Sequence, residues 1–232
     1  MSGVRIAQNI DFVRQQVADR CLKNGIDPAG ITIVGISKTH PAEAASMAVK
    51  AGLIDLGENR VQEAAFKIPL VRPIPTWHLV GHLQKNKVKK AVELFDIVQS
   101  VDSLELAQIL SIQAGKNEKE MVVYLQVNSS NEPQKNGFDP AELLRVTRDL
   151  LRLPNLKIAG LMTIGPLTED TGKIEKSFAM TRSQFDKMRE LVGAEFTKLS
   201  MGMSGDYELA LDYGANVIRI GTAIFGARDL NK

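Results

Sequence analysis

The sequence predicts an α/β protein that folds as a (β/α)8 TIM barrel with an extra helix at its N-terminus. Short apolar runs rich in β-branched residues alternate with amphipathic segments, which is typical of a parallel sheet covered by helices. Eight such units in about 200 residues favour a closed barrel. The alternative is a doubly wound open sheet, but no GxGxxG motif follows the first strand.

The chain opens with a predicted amphipathic helix over residues 1–25, and the barrel is predicted over residues 31–228. Four apolar residues recur at helical spacing and a glycine follows as a stop, namely Ile6, Ile10, Val13, Val17 and Gly25. No break in composition and no linker divides the chain. We therefore expect a single domain over residues 1–232.

Eight buried strands are predicted after the first helix. They lie at residues 31–36, 53–56, 77–80, 97–101, 121–127, 156–163, 198–201 and 216–220. The segments between them have helical character, for example PAEAASMAVKAG and DPAELLRVTRDLLRL. This regular order of strand and helix predicts the parallel barrel.

The bulk composition excludes several classes of protein. The 232 residues are 44% hydrophobic and carry a net charge of +2, as in an ordinary globular protein. Cys21 is the single cysteine, which excludes a disulfide framework and favours a cytoplasmic protein. No apolar run approaches the roughly 18 residues that a membrane span needs, so we expect no membrane partner.

Two further patterns are expected to be structural. The lysines between residues 85 and 90 lack interleaved aromatic residues, and Glu93 offsets their charge. This favours a solvated helix face over nucleic-acid binding. His78 and His82 are four residues apart, but they lie on a strand and its following turn, so we expect no metal site. His78 is instead expected to line the pocket wall.

The ends of the strands carry the groups that suggest chemistry. ITIVGISKTHP places Lys38 at the carboxyl end of the first strand, where barrel proteins hold their active sites. The last two strands run into LSMGMSGD and VIRIGTAIFGAR, which are rich in glycine and hydroxyl groups and suit an anion. Barrel closure makes the first and eighth strands neighbours, so Arg219 lies beside the strand of Lys38.

These positions fit a ligand that has a carbonyl group at one edge and a phosphate at another. A lysine forms an imine with a carbonyl only while its amine is neutral. Partial burial and a neighbouring cation both favour the neutral amine. The sequence thus indicates an imine-forming lysine opposite a phosphate site.

Six motifs resemble, in order and spacing, the pyridoxal phosphate homeostasis proteins of the YggS/PROSC family. They are ITIVGISKTHP, LGENRVQE, WHLVGHLQKNKVK, GLMTI, LSMGMSGDYELAL and VIRIGTAIFGARD, and the resemblance covers essentially the whole chain. It implies the barrel fold of the N-terminal domain of alanine racemase. It also implies pyridoxal 5′-phosphate as the cofactor, bound as an imine on Lys38.

The resemblance also implies roles for residues at the barrel mouth. Ser204, Gly221 and Thr222 match phosphate-binding positions, Asn59 lines the pocket, and Arg219 approaches the pyridine nitrogen of the cofactor. The expected cofactor-binding residues are Lys38, Asn59, His78, Ser200, Ser204, Arg219, Gly221 and Thr222. We expect no catalytic residue and no metal ligand.

Three lesser positions complete the comparison with the family. His82 and Lys85, within GHLQKNK, stand where family members vary, and neither is central to the site. Lys135 lies in the polar loop SSNEPQKNGFDP and could reach the barrel mouth. We expect it to be a solvent-exposed lysine, although KNG also matches the family pattern.

Three classes of function remain open from the sequence. The resemblance implies a carrier or buffer of pyridoxal phosphate, a monomer that serves apo-forms of the enzymes that use this cofactor. The alternatives are an amino-acid racemase that uses pyridoxal phosphate and a Schiff-base aldolase barrel without a cofactor. Purified aldolase would be colourless, whereas either pyridoxal phosphate protein would be yellow.

The residues favour the carrier over the racemase. In alanine racemase a tyrosine from a separate β domain supplies the second acid/base. Here the chain ends at Lys232, directly after the eighth unit. We therefore expect no amino-acid turnover.

Overall fold

The computed structural model describes residues 3–130 and 136–227 of the chain. Within these ranges eight parallel strands follow one another around a closed barrel, and the last pairs with the first. The strands are β1 (Thr32–Ile36), β2 (Asp55–Glu58), β3 (Thr76–Leu79), β4 (Ile97–Val101), β5 (Met121–Gln126), β6 (Leu156–Met162), β7 (Lys198–Met203) and β8 (Val217–Ile220). The predicted (β/α)8 barrel is confirmed.

The helices of the described residues surround this sheet. They are α1 (Gly3–Lys23), α2 (Ala42–Lys50), α3 (Val61–Lys67), α4 (Val88–Leu94), α5 (Leu104–Lys116), α6 (Pro140–Leu151), α7 (Thr171–Val192), α8 (Tyr207–Asp212) and α9 (Thr222–Phe225). Short 3-10 turns occur at Pro28–Gly30, Ile68–Leu70 and Lys85–Lys87.

The predicted N-terminal helix is present as α1, which packs on α2, α8 and α9. Its buried face consists of the predicted apolar positions together with the cysteine, namely Ile6, Ile10, Val13, Val17 and Cys21. The side-chain amide of Asn9 donates a hydrogen bond of 2.8 Å to the carbonyl of Ile224. The helix is thereby fixed to α9, directly after the last strand.

The strands are buried on both faces, as expected for a parallel sheet between a filled interior and a layer of helices. Val34 and Ile36 of β1 belong to the apolar cluster inside the barrel. Gly35 faces the helices instead, where an added Cβ would lie 2.4 Å from Leu53. The inner and outer sides of β1 therefore alternate residue by residue.

β2 starts at Asp55, two residues after its predicted start at Leu53. Leu53 N–H donates to the Ala48 carbonyl at 3.1 Å, and Gly52 N–H donates to Val49 at 2.9 Å. With Gly52 at φ +88°, these bonds form a Schellman cap at the end of α2. Leu53 thus belongs to the helix cap. The other strand ends lie within two residues of the predicted ones.

Two further observations concern the described residues only. None of their helices is long and apolar enough to cross a membrane. They contain no group of three or more His, Cys, Asp or Glu side chains that could hold a metal ion. Lys135 lies outside the described residues.

Candidate functional site

Lys38 lies in a turn just beyond the carboxyl end of β1. The turn is closed by a hydrogen bond of 3.0 Å from His40 N–H to the Ser37 carbonyl. Lys38 itself is half-buried. β1 pairs with β8, and Val34 stands opposite Arg219. Lys38 follows Val34 by four residues, so its turn lies at the barrel mouth, beyond Arg219 along the strand direction.

The loops after β7 and β8 meet at the same mouth and present polar groups to one point. The hydroxyl oxygen of Ser204 accepts hydrogen bonds from Gly221 N–H at 3.2 Å and Ala223 N–H at 3.4 Å. Thr222 is the first residue of α9 and is exposed beside them. The structure thus brings together the three residues expected to bind a phosphate.

A close approach behind these loops requires glycine. Gly202 of β7 has φ +91°, and a Cβ there would lie 2.6 Å from Ala210 and 2.9 Å from the backbone of Tyr207. Any larger residue would push α8 away from the strand. The loop that carries Ser204 depends on this contact between β7 and α8.

Inside the barrel, five inward polar side chains from five strands form a continuous hydrogen-bonded chain, which we call the interior polar chain. Arg219 Nη1 donates to Ser200 Oγ at 2.7 Å, and Ser200 Oγ donates to Gln99 Oε1 at 2.6 Å. The amide nitrogen of Gln99 lies 2.8 Å from His78 Nδ1. His78 Nε2 lies 2.9 Å from Asp55 Oδ1.

The hydrogen bonds of the interior polar chain show which nitrogen of the His78 imidazole carries the proton. Because the Gln99 amide donates to Nδ1, that nitrogen is the acceptor, and Nε2–H donates to the Asp55 carboxylate. His78 is fully buried. His78 therefore links Asp55 to Gln99 inside the barrel.

Arg219 is the cation of the site and is only 4% exposed. Its Nη2 also donates to the Thr163 carbonyl at 2.6 Å, so both ends of the guanidinium are held. Burial lowers the pKa of Arg219 to about 10, and the nearby Asp206 opposes this shift. At neutral pH the side chain therefore remains a cation.

Asp206 joins the loop after β7 to this charge. Its Oδ1 accepts a hydrogen bond of 2.6 Å from Met203 N–H. Burial raises the pKa of the Asp206 carboxyl above its usual range, although this hydrogen bond and Arg219 both oppose the shift. The carboxyl thus holds the loop after β7 through the Met203 amide and interacts electrostatically with Arg219.

Asn59 is half-buried directly after β2, and since Ile36 pairs with Gly57 it follows β2 at the same level as Lys38 follows β1. It lines a groove of about 490 Å³ with Gly81 and His82, among other described residues. An added Cβ at Gly81 would lie 2.3 Å from the Asn59 carbonyl oxygen, so the segment after β3 passes unusually close to Asn59. None of the other predicted site residues lines this groove.

Sequence reasoning missed several polar residues of the site. Asp55 and Gln99 complete the interior polar chain, and Gln99 could have been noticed as a buried polar residue within the apolar strand IVQSV. Glu58, Glu63 and Lys67 surround the turn of Lys38. Helix and strand periodicity gave no signal that a lysine of α3 would reach that turn.

The groups at the mouth fit a phosphorylated aldehyde. Ser204 and the amides that converge on it are hydrogen-bonding groups between the last two loops that could hold an anion. Arg219 provides a buried cation on β8, and Lys38 provides an amine beyond the neighbouring strand. A ligand bound by its phosphate at α9 would therefore have both groups within the barrel mouth.

The chain is similar to known proteins over nearly its whole length. Residues 6–229 match the family model described as the alanine racemase N-terminal domain. A pyridoxal phosphate homeostasis protein of Pseudomonas aeruginosa is 40% identical over 228 residues, which span 97% of this chain and 96% of that protein. A protein of the same name from Pasteurella multocida is 36% identical and spans 98% of this chain and 99% of its own length.

Solved structures show the same fold. PipY of Synechococcus elongatus, determined with PLP bound, is 39% identical with a TM-score of 0.85, covering 95% of this chain and 100% of PipY. Alanine racemase of Clostridium difficile matches with a TM-score of 0.76 at 18% identity, over 98% of this chain and 57% of the racemase, and shows the fold alone. The chain thus belongs to the alanine racemase N-terminal domain family and, within it, to the pyridoxal phosphate homeostasis proteins.

Proposed function

We propose that this protein binds pyridoxal 5′-phosphate as an imine on Lys38 and acts in cofactor homeostasis as a carrier or buffer. The observation that carries the proposal is the placement of Lys38 beyond β1, next to the strand that bears Arg219 and the loop of Gly221. The PLP-bound PipY structure, at 39% identity, supports it.

The proposed binding has two parts. The phosphate binds at Ser204, Gly221 and Thr222, where backbone amides and hydroxyls supply charge-assisted hydrogen bonds. The neutral amine of Lys38 then condenses with the aldehyde, which forms one C=N bond and releases one water. The phosphate site therefore selects the ligand, and Lys38 holds it covalently.

The interior polar chain supports the proposed role of Arg219. Its guanidinium, held by Ser200 and the Thr163 carbonyl, would present a permanent cation to the pyridine nitrogen. Pyridoxal phosphate is a strong electron sink only when that nitrogen is protonated, usually by a carboxylate. A cation at this position keeps the nitrogen unprotonated and the ring a weak sink.

The tyrosines of the chain also argue against racemase chemistry. Tyr124 is 2% exposed inside the barrel, and burial raises its pKa above the ordinary range. Tyr207 is 7% exposed in α8, and burial likewise raises its pKa. Tyr213 caps α8 and contacts Phe178. None of them is placed as an acidic group open to the mouth.

Replacing Lys38 by Ala tests the imine directly. We expect the visible absorbance of the pyridoxal phosphate complex to disappear while the protein keeps its circular dichroism, since Lys38 takes part in no strand. Lys50→Ala, on the exposed end of α2, is the matched control and should stay yellow. Borohydride trapping followed by peptide mapping identifies the lysine; a label on another residue, such as Lys135, would contradict the proposal.

The carrier role has its own test. The loaded protein is incubated with L- and D-amino acids in deuterium oxide, and then with an apo-enzyme that needs pyridoxal phosphate. We expect no deuterium at Cα and recovery of the apo-enzyme's activity. Exchange at enzymatic rates with any amino acid would overturn the carrier role in favour of a racemase.

A further inference from the structure

A cluster of three charged residues, two of them buried, lies directly behind the turn of Lys38. The ammonium group of Lys67 donates to three acceptors: the Ser37 carbonyl at 2.8 Å, Glu58 Oε1 at 2.6 Å and Glu63 Oε1 at 2.8 Å. The Lys67 side chain is 6% exposed, and that of Glu58 is fully buried. We call these three residues the Glu58–Lys67–Glu63 cluster.

The cluster holds the backbone on both sides of Lys38. On the N-terminal side, the Ser37 carbonyl accepts from the ammonium of the cluster, and Ser37 Oγ donates to Glu58 Oε1 at 2.6 Å. On the C-terminal side, Thr39 N–H donates to Glu63 Oε1 at 2.6 Å. The two neighbours of Lys38 are thus fixed to one group of side chains.

The turn needs such support, because Thr39 has φ +66°. A β-branched residue rarely adopts this left-handed conformation, and the third position of a turn with positive φ normally favours glycine. Strained residues of this kind persist only where their surroundings determine them, and they concentrate at functional sites. The bond from Glu63 is made to the strained residue itself.

The cluster is also costly to the fold. Glu58 Oε2 is buried and lacks a hydrogen-bond partner among the described residues. Buried charges that are incompletely paired give little net stability. All three hydrogens of the Lys67 ammonium are engaged, so this second lysine near the mouth is held as a cation that cannot attack a carbonyl.

We propose that Glu58, Lys67 and Glu63 are positioning residues that fix the strained turn, so that the amine of Lys38 meets the ligand's carbonyl in a reactive geometry. This inference rests on the proposed function, in which Lys38 forms the imine. The cluster touches neither the phosphate site nor Arg219 in the described contacts. It therefore acts on imine formation and leaves phosphate binding unaffected.

The test compares two ligands in three variants. Pyridoxal 5′-phosphate reports imine formation by absorbance, and pyridoxine 5′-phosphate, which lacks the aldehyde, reports binding of the phosphate and ring alone. Glu63→Ala removes the bonds to Thr39 and Lys67, and at 27% exposure Glu63 tolerates substitution without a buried cavity. Glu63→Gln keeps an oxygen acceptor. Glu93→Ala removes a similar helix carboxylate, paired to Lys90 on the exposed face of α4, and is the control.

We expect Glu63→Ala to lower the imine equilibrium constant by about tenfold, the loss expected for one charge-assisted hydrogen bond. Its affinity for pyridoxine 5′-phosphate should not change. Glu63→Gln should recover most of the imine formation, and Glu93→Ala should behave as the unmodified protein. An unchanged imine in Glu63→Ala, or an equal loss for both ligands, overturns the proposal.

A readout without ligand separates this inference from the proposed function. In the apo-protein, the Thr39 amide should exchange its hydrogen faster in Glu63→Ala than in the unmodified chain, because its acceptor is gone. Unchanged exchange at Thr39 overturns the proposed support of the turn. If the unmodified protein forms no imine on Lys38, the proposed function fails, whatever the exchange result.

Discussion

At the scale of single residues, burial acts differently on two buried ionisable side chains, Arg219 and Glu58. Arg219 has a pKa lowered to about 10 and still carries its charge at neutral pH. Burial raises the pKa of Glu58 instead, and the attraction of Lys67 and the Ser37 hydrogen bond only partly oppose the shift. Arg219 therefore stays charged at physiological pH, whereas the carboxyl behind Lys38 holds its proton to a higher pH than an ordinary glutamate.

Glu58 should make stability depend on pH. Because its pKa is raised in the folded protein, its contribution to the free energy of unfolding is complete below its ordinary value of 4.5. That contribution is lost as pH rises through the folded pKa. Urea unfolding at several pH values measures this effect. We expect the free energy of unfolding of the unmodified protein, relative to that of Glu58→Gln, to fall as pH rises above 4.5.

The exposed Glu93 provides a control of opposite sign. Lys90 lowers the pKa of the Glu93 carboxyl, so its contribution is present above its ordinary pKa and is lost on acidification. The free energy of unfolding of the unmodified protein, relative to that of Glu93→Gln, should therefore not fall as pH rises. A stability difference for Glu58→Gln that is flat or rises with pH would contradict the raised pKa.

Ser204 should govern affinity for the phosphate of the ligand. Its hydroxyl joins the amides of Gly221 and Ala223, and one charge-assisted hydrogen bond to a phosphate is worth about 1.5–3 kcal/mol. We expect Ser204→Ala to weaken pyridoxal 5′-phosphate binding by about tenfold or more. Binding of pyridoxal, which has no phosphate, should stay the same in an absorbance titration.

Ser46→Ala is the matched control for this substitution. Ser46 Oγ also accepts a backbone hydrogen bond, from Arg72 N–H at 3.2 Å, but it lies on α2. It should leave the binding of both ligands unchanged. Equal losses for the two ligands in Ser204→Ala would place the phosphate elsewhere.

At the scale of elements, each of five strands contributes one polar side chain to the interior polar chain. β4 contributes Gln99, whose two amide atoms bond to Ser200 and His78. Replacing it by Leu leaves the Ser200 hydroxyl hydrogen and His78 Nδ1 buried without their partner, at about 1–3 kcal/mol each. We expect Gln99→Leu to lower the free energy of unfolding by about 2–5 kcal/mol in urea, whereas Gln15→Leu on the exposed face of α1 should change it little.

A loss for Gln99→Leu no greater than that for Gln15→Leu would contradict the interior polar chain. The interior polar chain also predicts that the effects of substitutions at its members on the free energy of unfolding are coupled. Ser200→Ala should cost less in the Gln99→Leu background than in the unmodified protein, because the hydrogen bond they share is already broken and only the bond from Arg219 remains to be lost. Additive losses would indicate that the two side chains act independently.

The elements also show what sequence periodicity resolves. Buried apolar runs predicted all eight strands, because a strand covered on both faces has a distinctive composition. Periodicity did not resolve the start of β2, since the apolar Leu53 serves a helix cap there. Apolar character alone does not distinguish a strand from a cap that buries the same side chain.

The sequence likewise predicted some residues of the site and missed others. Lys38, Ser204 and Arg219 stand at strand ends, so topology alone predicted that they share one mouth. Asp55, Gln99 and Lys67 interact across the barrel or from a neighbouring helix. Such contacts depend on side-chain direction and register, which the order of elements does not specify.

At the scale of the whole molecule, α1 covers the side of the barrel where α2, α8 and α9 meet. Cys21 lies in its buried face with no exposed surface, and burial raises the pKa of its thiol. A thiol reagent should therefore label Cys21 only when α1 detaches or the protein unfolds. Labelling followed across a urea titration should coincide with unfolding by circular dichroism. Rapid labelling in native buffer would show that α1 opens independently.

The closed barrel leaves every strand with two hydrogen-bonded neighbours. Proteins often recruit partners by adding a strand to an exposed sheet border, and unpaired borders also start aggregation. Neither route is open to this sheet. Under the proposed carrier role, a recipient that docks at the mouth would contact the surrounding loops and helix ends by shape and charge. Such recipients could differ in fold, because docking would need no shared backbone pairing.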